Sequence, residues 1–274
     1  ANSRKLKYLY ISGCLIALCI LIFSAFKFLR FKVVFSIPNG ATASDMYWIG
    51  QQVCFPTPPY YEGYSFIGWR DSFGRIVNSE DVTVAGDNEY TAVYNVALMT
   101  DKHSAYLFPT EMGFLRPYDY MTRREAAQMF YVLLAEDITV SESYIDISRE
   151  DPDYFTTAAM KQLGVVDGSR FHPDDEITKY ELLQMLCAFY PHTSGKYTFS
   201  DIDYTDSCYN VFCTAVKNGW IDYAEGMAAE PDMLLTRLDV VLIMNRALGR
   251  NVEKKIPDEL IGAVPDFDPD SEYY

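Results

Sequence analysis

Three segments of the 274-residue chain align with one another without gaps: PYDYMTRREAAQMFYVLL from Pro117, PDDEITKYELLQMLCAFY from Pro173 and PDMLLTRLDVVLIMNRAL from Pro231, at spacings of 56 and 58. A second element recurs upstream of the later two copies. YIDI precedes DYFTTAAMKQLGVVDG, FSDI precedes CYNVFCTAVKNGWIDY, and Asp146 to Asp201 and Gly164 to Gly219 are each 55 residues apart. A period of this length with two helical stretches per copy specifies a repeat architecture, because one copy alone cannot bury its apolar face.

The long segments begin alike for a local reason. Thr122, Thr178 and Thr236 stand where an N-cap is expected, with Glu125, Glu181 and Asp239 three residues on, the signature of a capping box. Behind them, Ala126, Ala127, Met129, Phe130, Leu133 and Leu134 in the first copy, and Leu182, Leu183, Met185, Leu186 and Phe189 in the second, form apolar faces at helical spacing and are core. The residue after each Thr is basic: Arg123, Lys179 and Arg237. A cation at the positive end of a helix dipole is locally unfavourable, so something offsets it. Two readings are open. Free N–H groups beside a basic side chain would hold a carboxylate or phosphate; alternatively, these bases neutralise nearby acids such as Glu125 or Asp175 in weak surface pairs.

The combination of F-x-P, then I-T-R-x-E, preceded by D-I, an aromatic, an Ala-rich helix and G-x-x-x-G, resembles the surface-layer homology (SLH) domain over about 150 residues. The matching positions are Phe114, Arg116 and Pro117 with Met121 to Glu125, Phe171 and Pro173 with Ile177 to Glu181, and Leu235 to Asp239. The resemblance implies a three-pronged helical unit that binds secondary cell-wall polysaccharide, often pyruvylated, without a covalent bond. It maps the basic motif residue onto Arg123, Lys179 and Arg237 and the aromatic after D-I onto Tyr154 and Tyr209; Trp220 is a further stacking candidate, with a core role as its competing reading. There are departures. The first copy lacks an upstream D-I, the second has Lys for Arg and so loses bidentate geometry, and the third reads TRLD after EGMAAEPDM without F-x-P. A degenerate, non-glycan-binding module serving as a structural or interaction subunit of a cell-surface assembly is therefore the rival expectation.

Residues 31–96 read differently. Short β-rich runs (FKVVFSI, QQVCF, YSFIGW, VTVAG, EYTAVY) alternate with PNG, PTPP and DSFG turns, which predicts a small sheet with Trp69, Phe66 and Tyr64 helping to fill its core. The order V-x-F-x-x-x-N-G, G-x-x-V-x-x-P-x-P-P, G-Y-x-F-x-G-W and T-V-x-G-D-x-x-Y-T-A-x-Y, running from Val34 to Tyr94, resembles the internalin-type B repeat, also called the Listeria–Bacteroides repeat. That resemblance implies a β-grasp-like spacer or adhesive domain of bacterial surface proteins, with no catalytic residue.

Residues 8–26 are nineteen uncharged, mostly apolar positions flanked by Lys7 and Lys27, close to the roughly 20 needed to span a bilayer. They are expected to form a transmembrane anchor with the body outside, or a secretory signal peptide, although FSAFKFLRF lacks a small-x-small cleavage pattern. Six of the 23 Lys and Arg lie in residues 1–33 with no acid, leaving 17 against 38 acids in the rest, a net of −21. So acidic a body repels phosphate backbones, and nucleic acid is excluded as a partner.

The expected architecture is thus multidomain α+β: a tail and transmembrane helix at 1–30, a β-grasp-like domain at 31–96, a linker at 97–105, mainly α-helical SLH-like repeats at 106–250 and an acidic tail at 251–274. It places the protein at the bacterial cell membrane, with the body on the wall side or secreted to the wall if the helix is cleaved, and with cell-wall polysaccharide, the membrane and envelope proteins as partners. His103, His172 and His192 fall in no catalytic or metal motif, and no phosphate-binding Gly-rich loop exists. Cys208 and Cys213 have neither C-x-x-C nor i,i+4 spacing and are read, with Cys54 and Cys187, as buried thiols. DIDYTD at 201–206 and PDFDPDSE at 265–272 lack the Gly and distal Glu of a calcium loop, and the second is read as solvated tail. No enzyme, cofactor or metal is expected.

Overall fold

The computed structural model describes residues 29–77, 82–100, 105–110, 112–191, 193, 195–250 and 265–266, together with Ile16. It contains a five-stranded mixed sheet followed by five short helices. This corrects the architecture expected from the sequence, which opened on a membrane-spanning helix. Among the described residues no helix is long and apolar enough to cross a membrane. The helices run 9 to 11 residues, or about 14–17 Å at 1.5 Å per residue, against a hydrocarbon core of ~30 Å. Residues 8–26, where that helix was expected, lie outside the described residues apart from Ile16.

Two compact units divide the chain. The first takes residues up to Pro59 with Gly68–Val93; the second takes Tyr60–Ile67 and everything from Tyr94. The sheet consists of β1 (Arg30–Ser36), β2 (Thr42–Trp48), β3 (Tyr64–Arg70), β4 (Ile76–Val77) and β5 (Asn88–Val96), in the order β2-β1-β5-β3-β4. β1 and β2 form an antiparallel hairpin at Asn39-Gly40, where Gly40 has φ 82°; the missing Cβ makes that turn inexpensive. β1 pairs with β5 in parallel, placing Phe35 beside Tyr90. Phe35, Phe55, Trp69 and Tyr90 interlock, with Phe35 edge-on to Trp69 at 5.6 Å and Phe55 edge-on to Tyr90 at 4.9 Å. Trp69 is buried as expected, whereas Phe66 is half-buried and Tyr64 is 46% exposed. The runs QQVCF and VTVAG are not strands; they meet through an isolated Gln52–Thr83 bridge. β2, by contrast, has no counterpart among the runs read from the sequence. It lies at the sheet edge with Tyr47 as its one buried residue, so the alternation that betrays a half-buried strand is missing.

In the second unit the helices are α1 (Arg123–Val132), α2 (Tyr154–Gln162), α3 (Lys179–Cys187), α4 (Tyr209–Lys217) and α5 (Arg237–Ala247). α1, α3 and α5 are the three aligned segments. α2 packs on α1 and α4 on α3. Met121, Ile177 and Leu235, each just before a capping Thr, are fully buried at the centre, and Phe130 stacks on Phe189 at 5.5 Å. Residues 97–99, assigned to a linker from the sequence, pair with the end of α1: Met99 N donates to Leu133 O and Ala135 N to Ala97 O.

Candidate functional site

The three helix starts form one closed arrangement. Thr122, Thr178 and Thr236 each accept from the amide of the residue three positions on, and the acid there, Glu125, Glu181 or Asp239, accepts in return from the Thr amide. These are the capping boxes read from the sequence. One residue earlier, Met121 N donates to Leu235 O (3.0 Å), Leu235 N to Ile177 O (3.1 Å) and Ile177 N to Met121 O (2.8 Å), so the copies are joined in a cycle. One residue later, the first two amides of each helix donate to carbonyls of another copy's loop. Arg123 and Arg124 reach Asp175 and Pro173, Lys179 and Tyr180 reach Met233 and Pro231, and Arg237 and Leu238 reach Asp119 and Pro117, at 2.8–3.0 Å. The amides that an anion site would need are therefore already used. That overturns the free-amide reading of these termini.

The basic side chains continue the cycle. Arg237, with its side chain 4% exposed, donates Nε to Leu115 O (2.7 Å), Nη1 to Glu125 Oε1 (2.6 Å) and Nη2 to Phe108 O (3.1 Å). Arg123, 12% exposed, donates Nε to Phe171 O (2.7 Å) and Nη1 to Glu181 Oε1, with its guanidinium 5.2 Å from the Phe171 ring centre. Each arginine thus clasps the capping acid of the copy whose loop it also touches. Pairing with acids was one of the two readings of the sequence, but Arg123 takes Glu181 instead of Glu125 or Asp175, and the pairs are half-buried instead of lying on the surface.

Lys179 differs. The cycle assigns it Asp239, and both residues are the shorter alternative at their positions. No ion pair joins them; Lys179 Nζ lies 3.7 Å from Glu230 Oε2 and 5.9 Å from the Phe212 ring centre, with its side chain 10% exposed. A fork on one side and a longer carboxylate on the other close the two arginine junctions. The third junction holds a buried ammonium that, among the described residues, makes no hydrogen bond and pairs with Glu230.

The aromatic candidates do not converge on these cations in one pattern. Trp220 is 2% exposed and edge-on to Tyr190 at 5.1 Å, so its competing core reading is the one the structure supports. Tyr209 is half-buried, its hydroxyl donating to Tyr197 O (2.9 Å). Tyr154, the first residue of α2, is half-buried and edge-on to Phe155 at 5.5 Å; Phe155 is 62% exposed and is the more open ring of the two.

Sequence reading missed two polar clusters. Arg124 bridges the copies by contacting Asp151, Asp153 and Asp174, and Gln128 joins it at Asp153. Burial disfavours the Arg124 charge, but these acids outweigh it and raise its pKa. The second cluster is the D-I aspartates. Asp146 accepts from the amides of Phe171 (2.9 Å) and His172 (2.8 Å), and Asp201 from those of Ala229 (2.6 Å) and Glu230 (2.7 Å). Burial pushes both carboxyls up, and the paired amides more than reverse this, holding each below its ordinary value. The 55-residue recurrence of Asp was visible in the sequence; its partners were not.

Burial raises the Cys187 thiol to about 12 and also raises Cys213, which leaves both as core residues, whereas Cys208 is half-buried and Cys54 is exposed, so the buried reading fails for Cys54. Among the described residues no His, Cys, Asp and Glu side chains gather as metal ligands do. Comparison of the chain with models of known protein families gives no match, and comparison with curated protein sequences gives none.

Proposed function

We propose that the chain is a binding protein of the bacterial envelope surface, with no catalytic role, whose helical unit attaches non-covalently to an acidic cell-wall polysaccharide. The junction that holds Lys179 makes the contact. The observation that carries this is the contrast among three equivalent cations: two donate hydrogen bonds to capping carboxylates, while the Lys179 ammonium has no hydrogen bond among the described residues and only the longer 3.7 Å pairing with Glu230 there. An acidic group entering there would supply the charge-assisted bonds that Glu125 and Glu181 supply elsewhere. The sequence resemblance to SLH repeats names the ligand class, and the resemblance of residues 34–94 to B repeats gives the sheet a spacer or adhesive part.

Sedimentation of the full chain with purified cell wall tests the reading. Lys179→Ala is expected to lower retention about tenfold, the size of one charge-assisted hydrogen bond. Undiminished retention of that variant overturns the site. A second reading, a structural or interaction module without a glycan, is favoured by the burial of Arg123 and Arg237 in internal pairs. It predicts no sedimentation of the parent chain and a stoichiometric co-purifying protein.

A further inference from the structure

Three pairs of residues occupy one position of the repeat, just before Pro117, Pro173 and Pro231: Leu115–Arg116, Phe171–His172 and Ala229–Glu230. The second member of each has positive φ, 54° at Arg116, 55° at His172 and 56° at Glu230. A non-glycine residue avoids that conformation unless its surroundings over-determine it. Here it turns two consecutive amides to the same side, making a small nest for an anion. The nests of the second and third copies hold Asp146 and Asp201, which lie 25 and 28 residues upstream.

The first copy has no D-I motif upstream. Its nest is nonetheless filled: Asp266 accepts from Leu115 N at 2.9 Å and from Arg116 N at 2.5 Å, across 151 and 150 residues of chain. Next to it, Pro265 comes so near Gly113 that a Cβ there would stand 3.6 Å from the Pro265 ring. A second regularity points the same way. Asp146 stands eight residues before Tyr154, Asp201 eight before Tyr209, and Asp266 eight before Tyr274.

We infer that the Leu115–Arg116 nest is a docking site for this chain's own Pro265–Asp266 segment, a third copy of the Asp motif displaced to the far side of the repeats, and that its seating completes the first repeat. The start of the stretch PDFDPDSE, read from the sequence as solvated tail, thereby belongs with the repeats. The Asp266 carboxyl is pushed up by burial and pulled below its ordinary value by the two amides, as at Asp146 and Asp201, with Arg237 adding to the pull. The nest serves an internal acidic segment and is independent of wall binding at Lys179.

Amide hydrogen exchange on the full chain is the test. In Asp266→Ala the Leu115 and Arg116 amides should exchange about tenfold faster, the scale of a lost bond to a charged acceptor, while Phe171, His172, Ala229 and Glu230 stay as protected as before. Asp266→Asn, which keeps shape and one acceptor oxygen, should fall between and supplies the readout if the alanine variant does not fold. Unchanged exchange at Leu115 and Arg116, or an equal rise at all three nests, overturns the inference. Protection at this nest that grows with protein concentration assigns the occupant to a second copy of the chain and also overturns it.

Discussion

Two junctions of the helical unit are closed by an arginine and a glutamate, and the third holds a lysine and an aspartate that do not meet. Backbone pairing is the same at all three, down to the loop carbonyls that receive the first amides of each helix. Side-chain length makes the difference. A guanidinium fork reaches a loop carbonyl and a capping carboxylate together, whereas the Lys179 ammonium does not reach the shortened acid Asp239 and pairs at 3.7 Å with Glu230. The comparison teaches that the position of a basic motif residue does not determine what it binds. Helix starts with the same backbone pairing hold two hydrogen-bonded clasps and one cation that pairs at longer range with Glu230.

The largest break in this comparison is expected at Arg237, the more deeply buried clasp. Removing it leaves Glu125 without its Arg237 partner and two backbone carbonyls without donors, so Arg237→Ala should cost about 3 kcal/mol in chemical denaturation. Arg123→Ala should cost less, about 2 kcal/mol, because the pair has more water around it. Equal losses at Lys179→Ala, Arg123→Ala and Arg237→Ala would erase the distinction between the junctions.

Lys179→Arg combined with Asp239→Glu rebuilds the missing pair. It should stabilise the unit by about 1 kcal/mol, with neither single change achieving this alone, and it should abolish wall retention by committing the cation to an internal clasp. A double-mutant cycle read by thermal unfolding and by sedimentation checks both halves. Additive single effects would show that the third junction cannot close.

The smallest effect is in pH. Asp146 and Asp201 have folded pKa values below the ordinary 3.8, so their contribution is fully present above that value and is lost as pH falls through the depressed folded values. Stability should be flat from neutral pH to about pH 5 and decline below pH 4. In Asp146→Asn the decline should be shallower, as followed by denaturant midpoint against pH. A parent-like slope in that variant would remove Asp146 from the account.

What the sequence made legible was local. Thr122 and Glu125 lie one helical turn apart, and such a pair acts through contacts that spacing alone specifies. The partner of Arg123 lies 58 residues away on another copy, and the partner of the Leu115 and Arg116 amides lies about 150 away. No periodicity encodes which copy faces which, so the clasps, the Arg124 cluster and the seat of Asp266 were hidden. Trp220 belonged to the same class of question, its aromatic ring suiting a sugar or a core equally until Tyr190 and the surrounding packing placed it. The edge strand β2 was hidden for the opposite reason: it buries too little to impose a pattern.

The cycle through Met121, Ile177 and Leu235 has a consequence for how the chain acquires its fold. Its three hydrogen bonds join residues 56, 58 and 114 positions apart. An open solenoid can nucleate anywhere and grow one repeat at a time, but in a cycle the first two copies form only one of the three central bonds, and each still lacks a neighbour until the last arrives. The loop-closure entropy for the most distant pair must be met before the centre is buried, which makes for slow, all-or-none assembly. During synthesis the first two copies must wait for Leu235 to emerge, and a fourth copy added in the same register would find no place to join.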